Sequence, residues 1–220
     1  MIPLQKWTVS LVATAIAVAV SYLWLDIPIA TFAHNSLKTP IYAELTLLPE
    51  PLVPISLLVL LVLGLWALAG RPLYRPLRVA LLCSVSLVVA EAAKTELKYI
   101  FGRTWPETWV NGNPSLIQNG AYGFNFFHGG AGYASFPSGH TTAACAVASV
   151  LWICYPRFRV LYAAAIAAVV IGLVGANFHF ISDIVAGGFV GTTTGWFAIL
   201  LSSEDMTKPS SVGRPIGFLR

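Results

Sequence analysis

The chain has 220 residues, of which 57% are hydrophobic and only 10% are charged, with a formal net charge of +4. This composition excludes an ordinary soluble domain and predicts one integral membrane domain. Cys83, Cys145 and Cys154 lie in apolar runs without CxxC spacing, so neither a disulfide framework nor a zinc site is expected.

Six apolar runs follow one another along the chain, and several reach the roughly 20 residues that cross a hydrocarbon layer. Lys6 before the first run would also suit a signal peptide. That run is longer than a typical signal core, however, and it ends in Tyr22 and Trp24, which favour a membrane interface. We therefore expect a retained first span. The six predicted spans are residues 7–25, 52–69, 79–101, 139–155, 160–178 and 182–201.

The composition of the intervening segments predicts their structure. Residues 26–51 contain four prolines and are predicted to be a connection, with a short interfacial helix at about 41–48. Residues 102–137 form a long polar loop rich in glycine and aromatic residues, which is more typical of a functional lid than of a disordered insert. The glycine-rich sixth span should pack closely on a neighbour. We therefore expect one all-α domain over residues 1–201 and a flexible cytoplasmic tail over 202–220.

The placement of the basic residues predicts the orientation in the membrane. With a cytoplasmic N-terminus, nine of the 13 Lys and Arg residues fall on the cytoplasmic side, as the positive-inside rule favours. The exceptions are Lys38, Lys94, Lys98 and Arg103. Both termini are then cytoplasmic. The positive charge marks topology, so no nucleic-acid partner is expected.

The same orientation brings three polar clusters to the outer face. They are residues 98–106, 137–140 and 177–183. In the third cluster, His179 and Asp183 are four residues apart and share one face of a helix. The carboxylate can accept the imidazole Nδ1–H and leave Nε2 as a nucleophile or base. A structural pair that ties two helices together is the alternative.

Ser138, Gly139 and His140 stand where the fourth apolar run begins. A helix start offers unpaired N–H groups and a positive dipole end, so it attracts anions. A hydroxyl and an imidazole beside those N–H groups predict a phosphate cradle with a proton donor. The alternative is that Ser138 only caps the helix and His140 is a polar surface residue.

Two histidines, one aspartate, two cations and a helix start suit phosphoryl transfer, in which positioning and charge neutralisation supply most of the catalysis. The same His and Asp side chains could instead ligate iron or zinc. Lys98 and Arg103 would repel a metal ion, however. Neither a metal nor another cofactor is therefore expected.

The chain resembles the type 2 phosphatidic acid phosphatases, the PAP2 superfamily of lipid and acid phosphatases, over roughly residues 80–200. The family has three motifs: Lys, six residues, then Arg-Pro; Pro-Ser-Gly-His; and Ser-Arg, five residues, His, three residues, Asp. The matching positions are Lys98 with Pro106, residues 137–140 in full, and His179 with Asp183. The resemblance implies an all-α six-helix transmembrane bundle of the PAP2/acid phosphatase type, with a metal-independent site near the outer surface.

The resemblance also implies roles for individual residues. His179 would attack the phosphorus to form a phosphohistidine, and Asp183 would orient it. His140 would protonate the leaving oxygen and then activate water. The phosphate oxygens would be held by Lys98, by Ser138, and by the backbone N–H groups of Gly139 and His140.

Two positions depart from the family motifs, and both replace an arginine expected to bind phosphate. Trp105 stands in the first motif where the family has Arg, and Gly172-Leu173 stands in the third where it has Ser-Arg. Each lost clamp should weaken phosphate binding by about 1.5–3 kcal/mol. Arg103 could supply one fork from a shifted loop, so we expect it to bind the phosphate. An unusual substrate or a loss of activity are the alternatives.

Several further residues could touch substrate or form the lid, and each has a plainer explanation. Lys94 could be a second cation or pair with Glu91. His128 could contact substrate or simply be solvated. His34 is expected to be an ordinary surface residue. Three residues could shape the lid or lie at the headgroup level: Trp105, Glu107 and Trp109.

These observations favour an outer-facing, metal-independent phosphatase of the cell membrane that acts on a lipid phosphate or diphosphate. Its partners would be that lipid and the bilayer. A lipid-to-lipid phosphotransferase is the second hypothesis, since a loop that excludes water would favour transfer over hydrolysis. A non-catalytic lipid-binding or transport protein of the same fold is the third.

Overall fold

A computed structural model of the chain describes residues 3–109 and 112–202. Within these ranges the regular structure is helical. The helices are α1 (Pro3–Val20), α2 (Asp26–Ser36), α3 (Ile41–Thr46), α4 (Leu52–Leu68), α5 (Arg75–Phe101), α6 (Leu116–Asn119), α7 (Gly139–Cys154), α8 (Arg159–Gly175) and α9 (Ile181–Leu201). A π-helical turn, Ser21–Leu25, joins the first two, so the all-α prediction is confirmed for the described residues.

Four helical stretches are long and apolar enough to cross a membrane. They are Leu4–Ser36, Arg75–Phe101, Pro156–Gly175 and Ile181–Leu201. The apolar helices α4 and α7 are shorter, at 17 and 16 residues, against the roughly 20 that a perpendicular span needs. All six predicted runs are helical, but the count of six spans stays a prediction. Apart from Ser202, the predicted tail lies outside the described residues.

The first helical stretch continues past the end predicted for it. Residues 26–51 were expected to be a connection, yet Asp26–Ser36 is helical and follows the π-helical turn without a break. Pro28 lies inside this continuous stretch, where its missing N–H removes one backbone hydrogen bond, and the π-helical turn lies just before it. The expected short helix at about 41–48 exists as α3, Ile41–Thr46. It packs on α8, because a Cβ at Gly172 would lie only 2.8 Å from the carbonyl oxygen of Tyr42.

Helices α5, α7 and α9 form the centre of the bundle. Val79 and Cys83 of α5 pack with Val150 and Cys154 of α7 and with Ile199 of α9. The three cysteines are buried and free, as expected. Close packing of α9 on α7 depends on glycine, since a Cβ at Gly191 would lie 2.2 Å from the carbonyl oxygen of Thr142. This close approach confirms the packing role predicted for the glycines, and it brings the first turns of α7 and α9 together.

Replacing Gly191 with alanine should therefore force the two helices apart. The added methyl group would also lie 2.7 Å from the backbone nitrogen of Ala146, and backbone cannot move aside as a side chain can. Overpacking of this kind typically costs about 1–3 kcal/mol, so we expect a lower thermal midpoint in detergent. Gly64→Ala in α4 is the matched control, because its Cβ would meet nothing within 4 Å. Equal stability of the two variants would contradict this packing.

Candidate active site

A cavity of about 400 Å³ opens where the C-terminal end of α5, the start of α7 and the turn between α8 and α9 meet. All three polar clusters predicted from the sequence contribute to it. The residues that give it its polar and aromatic character are Glu50, Glu91, Lys94, Lys98, Trp105, Gly139, His140 and His179. The convergence of the three clusters, which was expected from the predicted arrangement of the spans, is therefore present in the fold.

His179 lies in the turn between α8 and α9 and is only 5% exposed. Its Nδ1 lies 3.4 Å from Oδ2 of Asp183, which is long, as catalytic hydrogen bonds often are before substrate binds. Burial lowers the pKa of His179 to about 4, although the neighbouring carboxylate opposes that shift. The imidazole is therefore neutral near pH 7. Donating Nδ1–H to the carboxylate leaves a lone pair on Nε2, as a nucleophile requires.

The lowered pKa of His179 predicts how stability depends on pH. Between pH 6.5 and about 4 an unfolded chain takes up a proton that the folded chain does not, so stability should fall as pH falls through this window. The full effect is on the order of 3 kcal/mol. Thermal midpoints in detergent from pH 7 to pH 4 should show a smaller acid loss in His179→Asn than in the unmodified protein. Parallel curves would contradict a neutral buried imidazole.

Asp183 connects His179 to the surrounding structure. It lies in the first turn of α9 and is fully buried. Its Oδ2 accepts hydrogen bonds from Ser135 Oγ at 2.6 Å and from the backbone N–H of Phe180 at 3.1 Å. Its backbone carbonyl accepts the N–H of Ser138 at 3.0 Å. The carboxylate is therefore fixed in position, and the second and third motifs are joined directly.

Arg103 does not line the cavity, contrary to the expectation that it binds phosphate. Its guanidinium is fully buried between two carboxylates, with Nη1 2.6 Å from Asp183 Oδ1 and Nη2 2.7 Å from Asp26 Oδ2. Burial alone would lower its pKa, but the two carboxylates raise it, so Arg103 stays charged. Both ends of the fork are occupied by protein. Arg103 is therefore a support for Asp183 and not a phosphate clamp.

Asp26 was missed by the sequence analysis. It is 1% exposed, at the point where the π-helical turn ends and α2 begins. Besides Arg103, it accepts the backbone N–H of Ser182 at 3.0 Å and the hydroxyl of Tyr122 at 3.2 Å. The available signal was an acidic residue within a long apolar helical stretch, which marks a functional or structural site by default. The prediction ended the first span at residue 25 and so placed Asp26 in a loop.

His140 faces His179 across the cavity, with ring centroids 6.3 Å apart. Reacting atoms approach within about 3–3.5 Å, so two imidazoles at this separation can flank a single phosphoryl group. His140 Nε2 also lies 3.0 Å from Oε1 of Glu50, in the connection between α3 and α4. A carboxylate only accepts hydrogen bonds, so Nε2 carries a proton. Glu50 was not predicted, because a proline-rich connection gives no signal that it reaches the site.

The start of α7 offers backbone donors to the cavity. No side chain caps this helix, so the first N–H groups stay available to an anion. Gly139 and His140 line the cavity as expected. Ser138 does not, because it is fully buried and its hydroxyl accepts a hydrogen bond from Thr141 Oγ1 at 3.2 Å. The hydroxyl of Ser138 therefore bonds within the start of α7 and does not face the cavity, contrary to the expected contact with phosphate.

Two lysines from successive turns of α5 reach the cavity. Lys98 donates to the carbonyl oxygen of Ala134, and its ammonium lies 5.5 Å from the ring centroid of Trp105. Lys94 forms an ion pair with Glu91. It also extends to the start of α7, because a Cβ at Gly139 would lie 3.4 Å from its Nζ. Lys94 can therefore pair with Glu91 and also act as a second cation in the cavity, next to the backbone N–H groups of α7.

The positions of the two missing arginines are filled by apolar or aromatic packing. The Trp105 ring lies 5.2 Å from the His179 ring, and its indole N–H donates to the carbonyl of Ala131 at 2.8 Å. Leu173 is fully buried against Val169 and Ile184. Neither position carries a cation, and the basic residues that line this cavity are Lys94 and Lys98 of α5.

Other predicted residues lie away from this cavity. His128 is exposed, with its ring 3.8 Å from that of Tyr133. His34 is not the ordinary surface residue that was expected, since its Nδ1 lies 2.7 Å from Oε1 of Glu107. The same Glu107 oxygen accepts from Nδ2 of Asn177 at 3.0 Å. Within the described residues, no cluster of three or more His, Cys, Asp and Glu side chains is arranged to hold a metal ion.

Comparisons with known proteins point in one direction. A Lipid A 1-phosphatase of Rhizobium etli is 28% identical over 214 residues, which cover 90% of this chain and 84% of that protein. A Lipid A 1-phosphatase of Rhizobium johnstonii is 33% identical over 108 residues, which cover 47% of this chain and 38% of that protein. No solved structure matches. The family model of the PAP2 superfamily matches residues 79–206, and the chain belongs to that superfamily.

Proposed function

We propose that this protein removes phosphate from a membrane lipid phosphate or diphosphate through a phosphohistidine formed on His179. Family membership makes the chain a phosphatase of the membrane-lipid type. The observation that carries the proposal is a neutral, buried His179 that faces His140 across a cavity containing two lysines. A glycolipid phosphate of the lipid A kind is the leading substrate, in keeping with the names of the relatives.

In the first step, Nε2 of His179 attacks the phosphorus while the bond to the leaving oxygen breaks. The doubly protonated His140 releases its Nε2–H from Glu50 and gives that proton to the leaving oxygen, which departs as the lipid hydroxyl while His140 becomes neutral. Asp183 stabilises the positive charge that develops on His179, through the Nδ1 contact at 3.4 Å. In the second step, His140 takes a proton from water as the water attacks the phosphorus. The P–N bond breaks and inorganic phosphate leaves.

Lys94 and Lys98 neutralise the phosphate during both steps, together with the uncapped N–H groups of α7. Lys94 supplies part of the positive charge that the two missing arginines would have placed beside the phosphate. A lysine is a point charge and does not form the two parallel hydrogen bonds of a guanidinium. Phosphate binding therefore depends more on the backbone donors here than in relatives that retain both arginines.

We also propose six membrane crossings with both termini in the cytoplasm and the cavity at the outer face. The basic residues of the loops support this orientation. Tilting of neighbours and local thinning of the bilayer allow the shorter helices α4 and α7 to cross as well. A lipid can then present its phosphate at the cavity while its acyl chains stay in the membrane.

Phosphate release from a lipid panel, with and without EDTA, tests this function. The panel should contain phosphatidic acid, phosphatidylglycerol phosphate, a polyprenyl diphosphate and lipid A. We expect release that survives EDTA. Transfer of the phosphate from the substrate to the hydroxyl group of a second lipid would favour the phosphotransferase. Specific lipid binding without turnover of any member would contradict the enzyme and favour the lipid-binding protein.

Replacing His140 and replacing Glu50 should have very different effects. His140→Gln removes the acid and base, so kcat should fall about 10²–10⁴-fold. Glu50→Gln removes only an ion pair whose carboxylate side chain is 59% exposed, and exposed pairs contribute at most about 1 kcal/mol, or about fivefold. Equal losses in the two variants would contradict these roles.

A further inference from the structure

A second cavity of about 400 Å³ adjoins the first and is not used by the phosphoryl-transfer chemistry. It lies between the end of α2, the start of α3 and the end of α8. Its polar and aromatic lining consists of His34, Lys38, Glu107, Trp109, Asn177 and Phe178. Three of these residues looked like lid or surface residues in the sequence, and the structure gathers them around one space.

The two cavities share a wall. His179 lines the first cavity, while Phe178, its neighbour in the chain, lines the second. Adjacent Cα atoms are about 3.8 Å apart. A second segment of the chain repeats this arrangement. Trp105 lines the first cavity, and Glu107, two residues later, lines the second. Neighbouring residues of the same two segments therefore line the two cavities, so a headgroup that extends past these segments from a phosphorus at His179 reaches the second cavity.

The chemistry of the second cavity suits a ring that carries several hydroxyl groups. Glu107 Oε1 is held at 2.7 Å from His34 Nδ1 and at 3.0 Å from Asn177 Nδ2, so the carboxylate and the amide are fixed side by side. Asn177 adopts a left-handed backbone with φ of 55°, an uncommon conformation that the turn maintains. Asn177 Nδ2 also donates to the carbonyl oxygen of Ala30 at 3.2 Å, so both of its protons are used within the protein. Carboxylate and amide oxygens that are held in fixed positions suit the donor hydroxyls of a sugar.

An aromatic face completes the cavity. Trp109 is 44% exposed and packs edge-on against Phe178, with ring centroids 4.6 Å apart. An exposed indole can cover the C–H face of a sugar ring while its N–H stays free to donate. The polar groups disfavour an acyl chain, which could not satisfy them. The Glu107 carboxylate disfavours a lone phosphate, although Lys38 at the rim tolerates an anionic substituent.

We propose that the second cavity binds the sugar ring of a glycolipid phosphate whose phosphate is attacked by His179. This inference rests on the proposed function and narrows its substrate to lipids with a saccharide headgroup. Trp109 is then a specificity residue that acts through substrate binding. Glycerol-based lipid phosphates can use the first cavity alone, so they should be poorer substrates that are insensitive to changes in the second.

The full-length protein in detergent can be tested with two lipid phosphates that differ in headgroup. One is a diacylated glucosamine 1-phosphate and the other is phosphatidic acid. For Trp109→Ala, kcat/KM on the sugar lipid should fall about tenfold, mainly through KM, because the lost stacking is made equally before and during reaction. Activity on phosphatidic acid should stay within about twofold. Trp24→Ala, an exposed tryptophan that lines neither cavity, should alter neither activity.

Parallel losses on both lipids, or no loss on either, would overturn the sugar site. Binding of the phosphate-free diacylated glucosamine supplies a second readout that needs no turnover. It should weaken in Trp109→Ala and remain normal in His179→Asn and in Trp24→Ala. If the unmodified protein hydrolyses neither lipid, the proposed phosphatase activity is contradicted. The binding measurement still tests the sugar site, because equal binding by Trp109→Ala and the unmodified protein would overturn that site.

Discussion

His179→Asn should abolish phosphate release, with a fall in kcat of at least about 10⁴-fold, the scale seen when a nucleophile is removed. Asparagine preserves a donor toward Asp183 but has no lone pair that can attack phosphorus. KM should change little, because the lysines and the α7 donors still hold the phosphate. Initial rates on the best lipid of the panel measure this effect.

The matched control is His128→Asn, which changes an exposed histidine that lies away from the cavity. It should retain full activity. Both variants should keep the thermal midpoint of the unmodified protein near pH 7 within a few degrees, so a folding defect cannot explain the difference. Measurable turnover by His179→Asn above about 1% would contradict its role as the nucleophile.

Asp26→Asn should be the second large effect, and it acts at a residue that does not line the cavity. The substitution leaves Arg103 buried with one carboxylate in place of two. Breaking a buried ion pair typically costs about 3–5 kcal/mol. We also expect kcat to fall about 10–100-fold, because Arg103 is free to shift and Asp183 loses the geometry that orients His179. The thermal midpoint and kcat should therefore fall together, with KM nearly unchanged.

Glu44→Gln provides the control for Asp26→Asn, since it removes an exposed carboxylate from α3. It should leave both quantities unaltered. Asp26→Glu is a further check, because it keeps the charge but lengthens the side chain. It should be more stable than Asp26→Asn, whereas its kcat should stay well below that of the unmodified protein. Full activity of Asp26→Asn would show that the buried network does not position the nucleophile.

Hydrophobicity and local spacing predicted much of this architecture. All six apolar runs are helical, because burial and the lack of water leave an apolar segment few other ways to satisfy its backbone. The spacing of His179 and Asp183 predicted that they would meet, but His179 lies in the turn before α9, so the contact runs from that turn to the helix and not along one helix face. The predicted arrangement of the spans placed Lys98, His140 and His179 on one side, and they line the same cavity.

Contacts between distant segments were not predictable in this way. Asp26 meets Arg103 and Ser182 although 77 and 156 residues separate them, and no local pattern encodes such a pairing. Arg103 was expected to bind phosphate because its charge lies near the motif. The sequence does not reveal that two buried carboxylates outcompete the substrate for it. The pair formed by His34 and Glu107 was not predictable for the same reason.

Trapping the covalent intermediate tests the central claim most directly. The protein is mixed with a lipid carrying a radioactive phosphate and quenched in alkali, in which phosphohistidine survives, and the labelled peptide is then identified by mass spectrometry. The account predicts phosphate on His179 and no label in His179→Asn. Continued turnover with the label on another residue, or with no labelled protein at any time, would contradict it.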